Sequence, residues 1–301
     1  MSAAANFADR LWQAVDEKRS RACVGLDPRL ERIPSFLCEE TDSAAECLLA
    51  FNRQIIEAVA EHVVAAKPQV AFYEMYGPAG VAAFAETCRC AKQHGLVVIA
   101  DVKRGDIGST AAAYARAYLG PADEQGRAAF DVDAVTINPY LGSDSVEPFL
   151  AEAQASGKGL FVLVKTSNKS SAEIQELQAS GKPVYEHVAK LVSKWAQRLP
   201  GRRGYSGVGA VVGATFPEQA AALRKLLPGV PFLVPGYGAQ GGSAQDVACC
   251  FDEDGYGAIV NSSRGIIFAY EGAQWEERQF AEAAAAAARR MKQEINGALG
   301  R

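Results

Sequence analysis

Three charged residues stand close together where an apolar run gives out. Leu96 to Thr110 reads LVVIADVKRGDIGST, with Asp101, Lys103 and Asp106 following its apolar start. Residues two apart on a strand face the same way, so this spacing sets the Asp101 carboxylate beside the Lys103 ammonium. Asp106 falls just past the strand, between Gly105 and Gly108, where Ser109 and Thr110 read as a helix start. Such a pair is either a solvated salt bridge, worth little, or the acid–base centre of an enzyme that moves a proton. The rest of the chain has to decide between them.

The elements that would position these residues repeat along the chain. An amphipathic helix is predicted over Asn6 to Ser20, with Phe7, Leu11 and Val15 at helical spacing. Short apolar strands follow at Arg21–Asp27, Val63–Lys67, the Leu96 stretch, Ala134–Tyr140, Gly159–Ser167, Val208–Thr215, Pro231–Gly236 and Ala258–Arg264. Helical segments lie between them, among them Ala44–His62, Pro78–His94, Ser109–Tyr118, Val184–Leu199 and Pro217–Leu227, and a closing helix spans Gln274 to about Asn296. Eight nearly continuous apolar strands alternating with helices imply parallel strands buried on both faces. The α/β class and a single-domain (β/α)₈ TIM barrel over residues 1–301 follow, with a helical excursion at about 168–205. A doubly wound open sheet competes, but no G-x-G-x-x-G follows the first strand.

Composition narrows the class. The chain has 301 residues, 49% of them hydrophobic and 22% charged, as expected of a globular enzyme with a large core. A formal net charge of -4 argues against a nucleic-acid or membrane-surface binder. The seven cysteines form no C-x-x-C pair and the three histidines are scattered, so no zinc site or disulfide framework is legible. Reduced thiols in the cytoplasm are expected. The charged N-terminal stretch does not read as a signal peptide, and no apolar run is long enough to span a membrane.

Active sites of such barrels lie at the C-terminal strand ends, and the polar residues collect there. Strand one ends in Asp27, strand two in Lys67, strand three in Asp101 and Lys103, strand four near Asn138, and strand five in Thr166, Ser167 and Asn168. Strands seven and eight run into PGYGAQGG (Pro235–Gly242) and NSSRG (Asn261–Gly265). Glycine-rich turns bring backbone N–H groups close to an anion, and Arg264 can grip a phosphate with two parallel hydrogen bonds.

D-x-K-x-x-D-I-x-x-T, carried here by Asp101, Lys103, Asp106, Ile107 and Thr110, resembles the signature of the orotidine 5′-phosphate decarboxylase family. GLDP (Gly25–Pro28), KPQVAFYE (Lys67–Glu74), PGYGAQGG and NSSRG resemble the same family, in its longer bacterial branch. The resemblance implies decarboxylation of orotidine 5′-phosphate to uridine 5′-phosphate, the last step of pyrimidine nucleotide synthesis, with neither metal nor organic cofactor. It implies a small-molecule nucleotide substrate and a homodimer with shared sites, in which the partner subunit donates the residues matching Asp106, Ile107 and Thr110. Lys67, Asp101, Lys103 and that donated Asp106 would form a chain of alternating charge. Asp27 matches a ribose-hydroxyl ligand, Ser167 a pyrimidine contact, and Gln240 and Arg264 phosphate-side ligands; Asn138 and Pro235 are expected to line the site.

The implied reaction explains why a lysine would stand between acids. Losing CO₂ from C6 of the pyrimidine leaves a carbanion with no obvious electron sink, a barrier calling for the upper part of the typical ~8–23 kcal/mol of enzymatic lowering, or more. An ammonium at C6 stabilises the developing charge and then supplies the proton. Burial tends to strip a lysine of its proton, whereas two unit charges ~4 Å apart gain ~4 kcal/mol at an effective dielectric near 20. Flanking Lys103 with Asp101 and Asp106 therefore keeps it charged. Two other readings remain at this point: a sugar-phosphate aldolase or decarboxylase using Mg²⁺ on the same barrel, and a non-catalytic binder of phosphate ligands.

Overall fold

Strands that are apolar on both faces need cover on both sides, and here they receive it by closing on themselves. The computed structural model describes residues 6–121, 128–238 and 241–301. In chain order the strands are β1 (Ala22–Leu26), β2 (Ala65–Pro68), β3 (Val97–Arg104), β4 (Ala134–Ile137), β5 (Gly159–Lys165), β6 (Gln178–Ala179), β7 (Lys182–Pro183), β8 (Val208–Val212), β9 (Phe232–Val234) and β10 (Ala258–Ser262). All except β6 and β7 pair in parallel in a closed barrel of order β1-β10-β9-β8-β5-β4-β3-β2. β1, β8 and β10 are buried at every position. The outward-facing residues, such as Val24, Val98 and Val260, pack against the surrounding helices in one large apolar cluster.

The opening helix, Phe7–Lys18, closes one end. Asn6 caps it, its side chain accepting from the Ala8 N–H. Phe7, Leu11 and Trp12 are fully buried and join Cys23, Ala65, Phe161 and Ile259 in a second cluster. The Phe7 ring stands edge-on to Phe161 at 5.8 Å. A Cβ at Gly159 would lie 2.2 Å from that ring, so the start of β5 needs glycine for the plug to seat. With the N-terminal end filled, the mouth lies at the C-terminal ends of the strands, beyond Lys67, Asp101, Lys165 and Ser262.

Several elements differ from the sequence reading. The closing helix runs Phe280–Ala298, starting six residues later than predicted, because a 3₁₀ turn at Glu277–Gln279 precedes it. The excursion is not wholly helical: β6 and β7 form an antiparallel ribbon. Ser180 and Gly181, both at positive φ, make its turn. The helix Ser143–Ser156 encloses Pro148, which breaks the periodic signal, and ends on left-handed Gly157. The expectation of free thiols throughout is corrected at one pair. Cys38 and Cys47 form a disulfide, because the short helix Ser35–Glu39 turns back onto the helix Ala44–Val59 and brings their Cα atoms to 4.9 Å. The other five cysteines are free.

Candidate active site

Three adjacent strands, β2, β3 and β4, build the charged floor of the mouth. Lys67, on β2, is buried and its Nζ lies 2.6 Å from Asp101 Oδ2. Lys103 Nζ lies 2.5 Å from Asp101 Oδ1. Thr136, on β4, donates its hydroxyl to the same Oδ1 at 2.9 Å. One buried carboxylate thus accepts from two ammonium groups and a hydroxyl. Burial alone would push the Asp101 carboxyl up, but the charges of Lys67 and then Lys103, with their hydrogen bonds, hold it well below the ordinary carboxylate range. Burial would likewise lower Lys67; the charges of Asp101 and Asp27 outweigh it and raise it above the ordinary lysine value.

Asp101 and Lys103 do pair, but not through the alternation of a regular strand. Lys103 has φ +46, left-handed backbone that a lysine rarely adopts, and the β3–β4 register shifts between Ala100 and Arg104. The strand is therefore kinked where the chemistry sits. Backbone held in such a region costs roughly 1–3 kcal/mol and persists where its surroundings enforce it. Beyond the kink, Arg104 pairs with Glu74 of the Lys67–Glu74 segment and lies over the Tyr114 ring.

Above this floor the mouth divides into two compartments that share Lys67, Asp101 and Pro235. The larger, about 410 Å³, is bounded by Lys103, Thr136, Leu163, Ser167, Gln175 and Leu233 among others, with an apolar wall opposite the charges. The smaller, about 180 Å³, is polar: Asp27, Gly236, Tyr237, Asn261, Ser263 and Arg264 line it. Two buried acceptors there, Asp27 Oδ1 and Asn261 Oδ1, have no hydrogen-bond partner among the described residues. Gly25 allows β1 to approach this wall, since a Cβ would overlap Ser263 Oγ at 1.8 Å. Arg264 opens the short helix Arg264–Ile267 at the rim.

Of the residues singled out in the sequence, Lys67, Asp101, Lys103, Asp27, Ser167, Pro235 and Arg264 are thus brought to the two compartments. Gln240 lies outside the described residues. Asn138 lines neither compartment; its Oδ1 accepts from the Tyr140 N–H and shapes the turn after β4. Asp106, Ile107 and Thr110 also line neither. Asp106 Oδ1 accepts from the Ile107 N–H, and Ile107 and Thr110 are exposed. Thr136, Gln175 and Asn261 were not foreseen as site residues. Thr136 sits inside a predicted strand, where alternation could have flagged an inward hydroxyl. Gln175 reaches the site from the excursion, where it exchanges hydrogen bonds with the Thr166 N–H and hydroxyl.

The chain matches the model of the orotidine 5′-phosphate decarboxylase / HUMPS family over residues 20–277. It is 47% identical over 300 residues to orotidine 5′-phosphate decarboxylase of Rhodopirellula baltica, covering 97% of this chain and 99% of that protein. The enzyme of the same name from Caldicellulosiruptor saccharolyticus is 42% identical over 304 residues, covering 98% and 99%. Among solved structures, Leishmania donovani OMP decarboxylase superposes with a TM-score of 0.77 at 35% identity, covering 98% of this chain and all of that one (100%).

Proposed function

The chain belongs to the orotidine 5′-phosphate decarboxylase / HUMPS family, and on that premise we propose how its residues carry out the reaction. It is a carboxy-lyase of pyrimidine nucleotide synthesis, converting orotidine 5′-phosphate to uridine 5′-phosphate. The observation that carries the mechanism is the single buried carboxylate, Asp101, held between two ammonium groups at the junction of the two compartments.

The pyrimidine occupies the larger compartment, with C6 toward Lys103 and the ring edge toward Ser167. The ribose and phosphate fill the smaller one. A ribose hydroxyl donates to Asp27 Oδ1, and Arg264, with Gln240, takes the phosphate. The C6–carboxylate bond then breaks, CO₂ departs, and the electron pair stays on C6 against the Lys103 ammonium. Lys103 gives its proton to C6, and solvent restores it. Asp101 holds both cations in place and faces a substrate carboxylate whose charge vanishes on reaction. Transition-state stabilisation by Lys103 is the larger effect.

The enzyme works as a homodimer in which Asp106, Ile107 and Thr110 complete the partner's site. Two observations support this. None of the three lines the compartments of its own chain. Met75, Ile107, Tyr140 and Leu141, exposed on loops after the adjacent strands β2, β3 and β4, give that side of the mouth an apolar surface. The 168–205 excursion belongs to the same barrel domain as a wall of the pyrimidine compartment, through Gln175. A cytoplasmic setting is part of the proposal, and among the described residues no helix is long and apolar enough to cross a membrane.

The remote phosphate contributes to turnover through its binding energy. Arg264→Ala is therefore expected to lower kcat/KM by about ten- to a hundred-fold, the loss of one charge-assisted hydrogen-bonded contact. The loss should be much smaller for a substrate lacking the phosphate, and steady-state kinetics on both substrates checks this. An equal loss on both would place the phosphate elsewhere. The reaction itself is tested by mixing the protein with orotidine 5′-phosphate, with one CO₂ expected per uridine 5′-phosphate formed. Binding of uridine 5′-phosphate with no CO₂ release would leave a nucleotide-binding barrel instead.

A further inference from the structure

Thr136 has no assigned part in the reaction, yet its hydroxyl is the point where β4 meets the kink of β3. The side chain is buried, 1% exposed, and it lines the pyrimidine compartment. Thr136 Oγ1 accepts from the Val102 N–H at 3.0 Å and from the Lys103 N–H at 3.0 Å, and donates to Asp101 Oδ1 at 2.9 Å. A hydroxyl has one proton to give and two lone pairs, so its capacity is fully used.

This arrangement answers a backbone problem. In a regular parallel ladder, successive N–H groups of β3 would alternate between backbone carbonyls of β4 and of β2. The register shift between Ala100 and Arg104 removes Val102 and Lys103 from that pattern, and Lys103 turns to φ +46. Buried N–H groups without acceptors are costly. The Thr136 hydroxyl supplies the acceptor for both, and the same atom fixes Asp101.

We propose that Thr136 is the positioning residue of the decarboxylation centre. Its hydroxyl holds the left-handed turn at Lys103, and so the direction of the Lys103 side chain, in register with the Asp101 carboxylate. The proposal rests on the reading of Lys103 as the group acting at C6. Thr136 touches neither C6 nor the leaving carboxylate; it acts through Asp101 and the Lys103 backbone. Its loss therefore lowers turnover and leaves nucleotide affinity alone, because the phosphate and ribose contacts lie in the other compartment.

Thr136→Val keeps the shape and removes the hydroxyl; Thr136→Ser keeps the hydroxyl and removes the methyl. For Thr136→Val the expected result is a fall in kcat of about ten- to a hundred-fold, the order for losing hydrogen bonds to a charged group and to buried donors. Its Kd for uridine 5′-phosphate should stay within about threefold of wild type. Thr136→Ser should keep kcat within about threefold of wild type, whatever its melting temperature. Wild-type turnover in Thr136→Val, or a kcat loss in Thr136→Ser as deep as that in Thr136→Val, would overturn the proposal. So would a Thr136→Val loss that lies wholly in KM. If Thr136→Val does not fold, Thr136→Ser alone decides between hydroxyl and methyl. Lys103→Ala, assayed in parallel, separates the two levels: activity retained there removes the reading of Lys103, whereas an inactive Lys103→Ala beside an active Thr136→Val removes this proposal alone.

Discussion

Lys103→Ala is expected to lower decarboxylation by about four orders of magnitude or more while uridine 5′-phosphate still binds. The size follows from what the ammonium does twice. General acid catalysis by a positioned group contributes about 10²–10⁴, and a preorganised charge at a developing anion about 10²–10³ on its own. The two overlap in one group, so they do not simply multiply. Binding is expected to survive because the proposed phosphate and ribose contacts, Arg264 and Asp27, lie in the smaller compartment. Removing Lys103 also takes one cation from Asp101 and leaves Lys67 at 2.6 Å, so the carboxylate stays paired and the fold is expected to hold. Single-turnover measurement of CO₂ release, beside titration with uridine 5′-phosphate, separates the two effects. Turnover near that of wild type would remove Lys103 from the mechanism.

Mixing two inactive proteins is expected to restore activity. Asp106→Ala alone should lose about a hundred-fold or more in turnover, since in the proposed dimer it removes a charge that would keep the partner's Lys103 placed and protonated at the reacting carbon. In a mixed dimer of Lys103→Ala with Asp106→Ala, both lesions fall in one site and the other site is whole. Random exchange makes half the dimers mixed, so about a quarter of all sites recover in a twofold-symmetric assembly. Exchange is followed by a mass tag on one protein, and activity is read against the mixed fraction. Complete exchange with no recovery would show that each chain builds its site alone.

How much of this was written legibly in the sequence differs by level. The barrel was legible because its strands are short, apolar and separated by helices, and each polar strand end is a departure from that pattern. Lys67, Asp101 and Lys103 could be singled out for that reason. The kink at Lys103 was not legible: left-handed backbone at lysine leaves no compositional trace, and only the Thr136 hydroxyl and the shifted register reveal it. Gln175 was hidden because it reaches the mouth from a segment whose ribbon, Gln178–Pro183, has only a Ser180–Gly181 turn to mark it. The Cys38–Cys47 bond was hidden for a related reason, as it depends on a five-residue helix folding back. Asn138 shows the converse error. It stands at a strand end like the others, but its side chain caps its own turn. Position at the barrel mouth selects candidates, and side-chain direction decides among them.

The Mg²⁺-dependent reading of the same barrel and the charge-array reading part on one point. Both Asp101 oxygens are engaged, Oδ2 by Lys67 and Oδ1 by Lys103 and Thr136, so the positive charge beside this carboxylate comes from lysines. The most direct test is the decay of pyrimidine absorbance after mixing the protein with orotidine 5′-phosphate in excess EDTA. The charge array predicts decay at the same rate with and without the chelator. Decay that EDTA abolishes and Mg²⁺ restores, or no decay in either case, would contradict it.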